Sequence, residues 1–109
     1  MSSRLKSQIR PIVLGLVRRD QQNRDQQILV CETYDAVRQK MLYRAPGGGI
    51  EFGEPSRDAL HREFQEEFQA AIGEVRYLGC VENFFIYETQ PGHELVQLYE
   101  CSFLDPGFY

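Results

Sequence analysis

Three glutamates, Glu63, Glu66 and Glu67, lie within five consecutive residues of a stretch in which apolar residues recur every fourth position. On a helix with 3.6 residues per turn, positions i, i+3 and i+4 share one face, so the three carboxylates converge. Each like-charge pair at this spacing destabilises an isolated helix by roughly 0.2–0.5 kcal/mol. Because hard cations such as Mg²⁺ bind carboxylate oxygens, the pattern indicates a cation site. The alternative is a solvated acidic helix face.

Two further features support a cation site near this helix. The glycine-rich segment 47–49 can bring backbone oxygens close to a ligand, because no side chain obstructs the approach. Arg62 can hold a carboxylate through two hydrogen bonds, and Glu54 at the helix entrance is its expected partner. The alternative for this pair is a surface ion pair worth less than about 1 kcal/mol.

The elements that must position these residues follow the order strands, one helix, further strands, which predicts a mixed α/β domain. The predicted strands span residues 12–17, 27–31, 40–43, 75–88 and 94–104. The first two are expected to pair as neighbours, segment 47–49 to form a turn, and residues 89–92 to connect the last two strands.

The helix is predicted from Ser56 to Ala70. Its apolar stripe consists of Leu60, Phe64 and Phe68. We expect Ser56 or Glu54 to cap its N-terminus, with Pro55 in the first turn.

Composition limits the function classes. The 109 residues, 42% apolar and 26% charged, suit a single globular domain over residues 1–109. A net charge of −4 without a basic cluster argues against binding to duplex nucleic acid. No apolar run is long enough to cross a membrane, and the first residues lack a signal core, so we expect a cytoplasmic protein. Cys31, Cys80 and Cys101 are widely spaced and are expected to be small buried apolar residues.

The acidic helix and its approach resemble the Nudix box over residues 48–70. Six defining positions agree: Gly48, Glu54, Arg62, Glu63, Glu66 and Glu67. At roughly 6% per residue type, chance agreement in such a chain is on the order of 10⁻⁵. Three positions depart from the pattern, since Gln69 stands where glycine is expected, Ala70 where a bulky aliphatic is expected, and Phe64 is unusually large. These departures concern how the helix ends and packs.

The resemblance to the Nudix hydrolase family implies a fold, a metal and a reaction. The fold is an α/β/α sandwich around a mixed β-sheet, and we expect the natural chain to continue beyond Tyr109 with a further strand and helix. Mg²⁺, or Mn²⁺ as a substitute, is held by Glu63, Glu66, Glu67 and the Gly48 carbonyl. Arg62 and Glu54 orient these ligands, and Glu63 or Glu66 acts as general base. The partner is a nucleotide or another small diphosphate compound, and a homodimer is expected.

Candidate substrate residues follow the box. Phe84, Phe85 and Tyr87 could stack on a nucleobase, with core packing as the alternative. Glu94 could reach the same site, or it could be an ordinary strand residue. The function predicted is Mg²⁺-dependent hydrolysis of a diphosphate linkage in a nucleoside diphosphate derivative. Two alternatives stay open: a catalytically inactive Nudix-fold module that senses a nucleotide, and a domain that binds Ca²⁺ for stability.

Overall fold

The computed structural model describes residues 8–19, 27–29, 31–35 and 40–108, with side chains for 8–17, 29 and 44–108. The elements are β1 (Ile9–Arg19), β2 (Gln27–Ile28), β3 (Cys31–Asp35), β4 (Lys40–Arg44), β5 (Gly47–Gly49), α1 (Ser56–Phe68), β6 (Ile72–Tyr87), β7 (Gln90–Phe103) and a short 3-10 helix (Pro106–Phe108). None of the helices within these residues is long and apolar enough to span a membrane.

The main sheet has five strands. Four of them follow the order β2-β1-β7-β6, and the fifth, β5, is a further partner of β1. Strands β1 and β7 are parallel, and the other pairs in this sheet are antiparallel. The mixed sheet with a helix against it confirms the predicted α/β fold. In the part of the chain that the structure describes, α1 is the one α-helix, so the layer seen is a helix on one face of the sheet.

Two predicted boundaries before the helix differ from the structure. The single strand predicted at 27–31 is two strands: β2 pairs with β1, whereas β3 pairs with β4 in a separate two-stranded sheet. The expected pairing of the first two strands is confirmed by the Arg18–Ile28 register. The predicted turn at 47–49 is strand β5, because three glycines without side chains can lie flat along β1.

The core lies between α1 and one face of the sheet. Alternation along a strand sends residues i and i+2 to the same face, so Val13 and Val17 of β1 meet the helix. Between them, Gly15 leaves room for the helix, since a Cβ there would lie 2.9 Å from the Phe64 ring. Leu60 and Phe64 are fully buried and Phe68 is partly buried, which confirms the predicted stripe.

Helix α1 starts and stops differently from the prediction. Pro55 is the N-cap and makes no side-chain capping bond, whereas Ser56 or Glu54 was expected to cap. The helix ends at Phe68 rather than Ala70, because Gln69 adopts a left-handed conformation (φ 50°, ψ 42°). A left-handed residue at this position normally is glycine. The family's preference for glycine at position 69 therefore has a backbone cause, which Gln69 meets at some cost in strain.

The last two strands form one long hairpin. Its turn is Glu88–Thr89, two residues with φ of 49° and 68°, so it lies earlier than the predicted turn at 89–92. Positive φ at both central residues defines the type I′ turn, whose twist matches the flanking strands. Gly92 then belongs to β7, where its missing side chain accommodates the Phe85 ring across the strand pair.

The cysteines differ in environment. Cys101 is buried, as predicted, but Cys80 is exposed, so the prediction for Cys80 was wrong; the side chain of Cys31 lies outside the described residues. Cys80 lies on the outer strand β6, most of whose side chains face solvent. Burial, and to a smaller degree the nearby Glu100, raises the pKa of Cys101 to about 12.

We expect the two thiols to react at very different rates. In a Cys31→Ser variant at pH 8, a maleimide reagent should modify Cys80 quickly and Cys101 only at the rate of unfolding. The folded protein keeps Cys101 protonated, while the unfolded chain ionises it above about pH 8.5. Its contribution to stability is therefore complete below about pH 8.5 and is lost as pH rises towards 12. Mass spectrometry of quenched time points is the measurement, and equal native rates for both thiols would contradict this account.

Candidate active site

Arg62 is the centre of the polar network on α1. Its Nε and Nη2 donate to the two carboxylate oxygens of Glu54, at 2.8 and 3.0 Å. Nη2 also donates to the Gly49 carbonyl at 2.9 Å, and Nη1 donates to Glu63 at 2.9 Å. One guanidinium thus ties the helix entrance, strand β5 and the helix face together, as the sequence predicted for the Glu54 pair. The hydrogen bonds from Arg62 and its positive charge lower the pKa of Glu54. The same hydrogen bonds to Glu54 are the largest cause of the raised pKa of Arg62.

Glu63 lies directly against the glycine strand. A Cβ built on Gly48 would be 2.4 Å from Glu63 Oε1, so only glycine leaves the carboxylate its place. Strand β5 holds Gly48 opposite Val13 of β1, which fixes the backbone that faces the helix. The predicted metal ligands Gly48 and Glu63 are therefore adjacent.

Glu67 reaches the same glycine strand one turn later. Its carboxylate accepts a hydrogen bond from the Gly47 N–H, and Arg44 lies near enough to attract it. The net effect on its pKa is nevertheless upward: partial withdrawal from water is the largest cause, and the negative charges of Glu63 and Glu66 add to it. The three carboxylates thus repel one another, which is the electrostatic situation that a bound cation relieves.

The arrangement does not form a closed metal cage by itself. Within the described ranges, no three His, Cys, Asp or Glu side chains are grouped tightly enough to hold a metal ion. Arg62 Nη1 contacts both Glu63, at 2.9 Å, and Glu66, at 3.4 Å, and so competes for their oxygens. The donor chemistry still fits a hard cation, since the set consists of carboxylate oxygens that repel each other beside a half-buried glycine backbone.

A cavity of about 200 Å³ opens beside these residues. Its wall includes Gly47, Gly48 and Glu67, together with two arginines, Arg10 and Arg44. Neither arginine was predicted as a site residue from the sequence. Arg44 stands immediately before the Ala-Pro-Gly-Gly entry to the box, and Arg10 precedes the buried part of β1. The signal in the sequence was the positive charge of these two side chains in a chain whose net charge is negative. Positive charge over a cavity next to these carboxylates suits an anionic ligand.

The predicted substrate residues occupy two different places. Phe84, Phe85 and Tyr87 lie on the exposed outer part of the hairpin, and Phe84 packs on the ring of His93 at a centroid distance of 4.2 Å. They do not line the cavity beside the box. Glu94 is instead 96% buried and lines a second cavity, next to the first.

Replacing Gly48 tests how closely Glu63 depends on the glycine strand. In Gly48→Ala, we expect the Glu63 carboxylate to be displaced, because the new methyl group would occupy the space of Oε1. Metal-dependent turnover should fall by about tenfold or more, since misplaced ligands weaken a metal site. The matched control is Gly49→Ala on the same strand, where the nearest atom to a Cβ is Arg10 Nη2 at 3.8 Å, an ordinary contact. Equal turnover of both variants would contradict the role given to Gly48.

Comparisons with known proteins agree with this geometry. A family model described as NUDIX domain matches residues 9–106. The crystal structure of the Ap4A hydrolase of C. elegans superposes with a TM-score of 0.60 and 16% identity, covering 92% of this chain and 72% of that one. The solution structure of the E. coli ORF135 protein superposes with a TM-score of 0.55 and 22% identity, covering 87% of this chain and 65% of that one. A search of curated proteins found no match.

The two structural likenesses show a shared fold, and the family match extends over nearly all of the described residues. The segment 48–70, with its Arg62 network and with Glu63 and Glu67 against the glycine strand, lies inside the matched range. The chain is therefore a member of the Nudix hydrolase family.

Proposed function

We propose that this protein hydrolyses a diphosphate linkage in a nucleoside diphosphate derivative and that it depends on Mg²⁺. The observation that carries the proposal is the Arg62 network, which fastens Glu54, Glu63 and the Gly49 carbonyl around one guanidinium next to an arginine-lined cavity. A surface ion pair needs no such convergence of backbone and side chains.

The residues that would hold the cation are Glu63, Glu66, Glu67 and the Gly48 carbonyl. Mn²⁺ is expected to replace Mg²⁺, because both prefer oxygen ligands. When bound, the ion supplies charge neutralisation and a more acidic water molecule. Arg62 and Glu54 act as positioning residues, since Arg62 holds Glu63 at 2.9 Å and is itself held by Glu54.

The reaction consumes one water molecule. A carboxylate of Glu63 or Glu66 takes a proton from that water as its oxygen forms a bond to one phosphorus. The bond from this phosphorus to the bridging oxygen breaks, and the bridging oxygen leaves with the other phosphate group. The electron pair of the broken bond stays on that oxygen, which solvent protonates according to pH.

Arg10 and Arg44 would bind the phosphate groups of the substrate. Both line the cavity beside Gly47, Gly48 and Glu67, so a diphosphate in it would lie between the arginines and the carboxylate face. The C. elegans neighbour is named as an Ap4A hydrolase, which supports a nucleotide with linked phosphates as the substrate class. A homodimer and a cytoplasmic location stay predictions from the sequence.

A substrate panel tests this proposal. The purified chain should release phosphate or a mononucleotide, in the presence of excess Mg²⁺, from at least one member of a panel of nucleoside triphosphates, dinucleoside polyphosphates and nucleotide sugars. Release should stop on addition of EDTA and return with Mn²⁺. Metal-dependent nucleotide binding with no product from any member would favour the sensing module instead.

A further inference from the structure

A second cavity, of about 270 Å³, lies on the sheet face opposite α1. Its wall is aliphatic over most of its area, with Leu14 of β1, Val96 and Leu98 of β7 and Val81 of β6. Leu14 is paired with Leu98, and Val81 with Val96, so these side chains form a continuous apolar floor across three strands. Small-molecule sites in proteins range from about 300 to 1,000 Å³, so this cavity suits one heterocycle.

One end of this apolar floor carries the polar side chains of Glu94 and Asn83. Glu94 is 96% buried, and its Oε1 accepts a hydrogen bond of 3.3 Å from Asn83 Nδ2. Asn83 and Glu94 are paired across β6 and β7, and Arg10 stands next to Glu94 on β1 with its Nη1 3.7 Å from Oε2. A buried carboxylate needs hydrogen bonds for its remaining lone pairs. The long distances to Asn83 and Arg10 leave acceptor capacity for a ligand in the cavity.

We propose that this cavity binds a guanine base through Glu94 and Asn83, so that the substrate is a guanine nucleotide with a diphosphate linkage; the inference rests on the function proposed above. A carboxylate accepts two parallel N–H bonds best. Guanine offers its ring N1–H and its 2-amino group side by side, whereas adenine has no N1–H and uracil has no amino group. The aliphatic side chains Leu14, Val96 and Leu98 cover one flat face of the ring.

The position of Arg44 links this cavity to the reaction. Arg44 lines both cavities, and Arg10 lines the first while it pairs with Glu94 at the polar end of the second. A nucleotide whose base is held by Glu94 can therefore place its phosphates beside Gly47, Gly48 and Glu67. The phosphate site lies beside β5 and the base site beside β7, and β1 pairs with both of these strands.

Binding of nucleoside monophosphates tests the base site separately from hydrolysis, because they contain no diphosphate linkage. The full chain is titrated with GMP, IMP and AMP in Mg²⁺, and the dissociation constants are measured by ¹H–¹⁵N NMR. IMP lacks only the 2-amino group, so we expect it to bind about tenfold more weakly than GMP, and AMP more weakly still. In Glu94→Gln, GMP should lose its advantage over IMP. The exposed Glu82→Gln is the matched control and should keep it.

Equal affinities for the three monophosphates, or no binding of any of them, would overturn the base site whatever the enzyme hydrolyses. The comparison of GMP with IMP uses the wild-type chain, so it stands even if Glu94→Gln does not fold. A preference for GMP without hydrolysis of any guanine nucleotide would leave the base site in place and contradict the proposed function. Hydrolysis of all nucleotides at similar rates, together with equal binding of the three monophosphates, would contradict the base site and leave the proposed function in place.

Discussion

Glu67→Gln should lower metal-dependent hydrolysis by at least about a hundredfold without lowering the stability of the metal-free protein. The loss of activity follows because the substitution removes one carboxylate of the proposed cation site, and even groups outside the ligand shell contribute about 10- to 100-fold. Steady-state kcat/KM in Mg²⁺ is the measurement, on the best substrate of the panel.

The expected stability of the metal-free Glu67→Gln variant follows from the pKa of Glu67. Its raised pKa in the folded protein means that the charged form is disfavoured by folding, so its contribution is greatest at low pH and is lost as pH rises through the folded pKa. A neutral glutamine at pH 7 removes the repulsion from Glu63 and Glu66 and can still accept from the Gly47 N–H. Urea unfolding in EDTA should therefore show an unchanged or higher midpoint.

Asp58→Asn is the matched control for Glu67→Gln. Asp58 is an exposed carboxylate in the first turn of the same helix, so the change of charge is identical but lies away from the glycine strand. Its kcat/KM should stay within about twofold of the wild type, because it contacts no part of the proposed site. An active Glu67→Gln enzyme, or a loss of equal size in Asp58→Asn, would remove Glu67 from the cation site.

Arg62→Lys should damage both activity and stability although it keeps the positive charge. Lysine has one charged nitrogen and cannot bind both oxygens of Glu54 while it also donates to the Gly49 carbonyl and to Glu63. We expect a loss of about 10- to 100-fold in kcat/KM, the usual range for residues that orient metal ligands. Lost charge-assisted hydrogen bonds should lower the free energy of unfolding by roughly 1–3 kcal/mol.

The control for Arg62→Lys is Arg57→Lys on the same helix. Arg57 is exposed, donates to the Val75 carbonyl at 3.0 Å and lies over the Tyr99 ring at 5.4 Å. A lysine ammonium can keep a single hydrogen bond or the contact with the ring. A thermal scan and kcat/KM should both stay close to the wild type. If Arg62→Lys is as stable and as active as Arg57→Lys, the Arg62 network is an ordinary surface cluster.

The sequence predicted the site better than its surroundings, for physical reasons. Spacing along a helix is enough to place Glu63 and Glu66 on one face and to bring Arg62 to Glu54, because those contacts are local. The closeness of Glu63 to Gly48 depends on β5 pairing with β1, which the glycines alone did not indicate. Arg10 was missed because only the parallel pairing of β1 with β7 brings it to Glu94.

The predicted ends of the helix and of the last two strands were wrong where the backbone conformation outweighed the pattern of side chains. Gln69 and Thr89 both have positive φ, a conformation that neither residue type predicts. Gln69 stops the helix early, and Thr89 shifts the hairpin turn, which moves every residue of β7 relative to the expected register. The aromatic residues Phe84 and Phe85 suggested stacking on a base, but their place on the outer hairpin follows from that register.

Isotopically labelled water shows whether the carboxylates of α1 support the attack of water on a diphosphate. The full chain is incubated with Mg²⁺ and a nucleoside diphosphate derivative in H₂¹⁸O, and the products are weighed by mass spectrometry. We expect one ¹⁸O atom in only one of the two products, and we expect these products to form in Mg²⁺ but not in EDTA or in Glu67→Gln. Nucleotide bound in a metal-dependent manner but recovered intact, without label, would contradict this expectation and identify the protein as a sensing module.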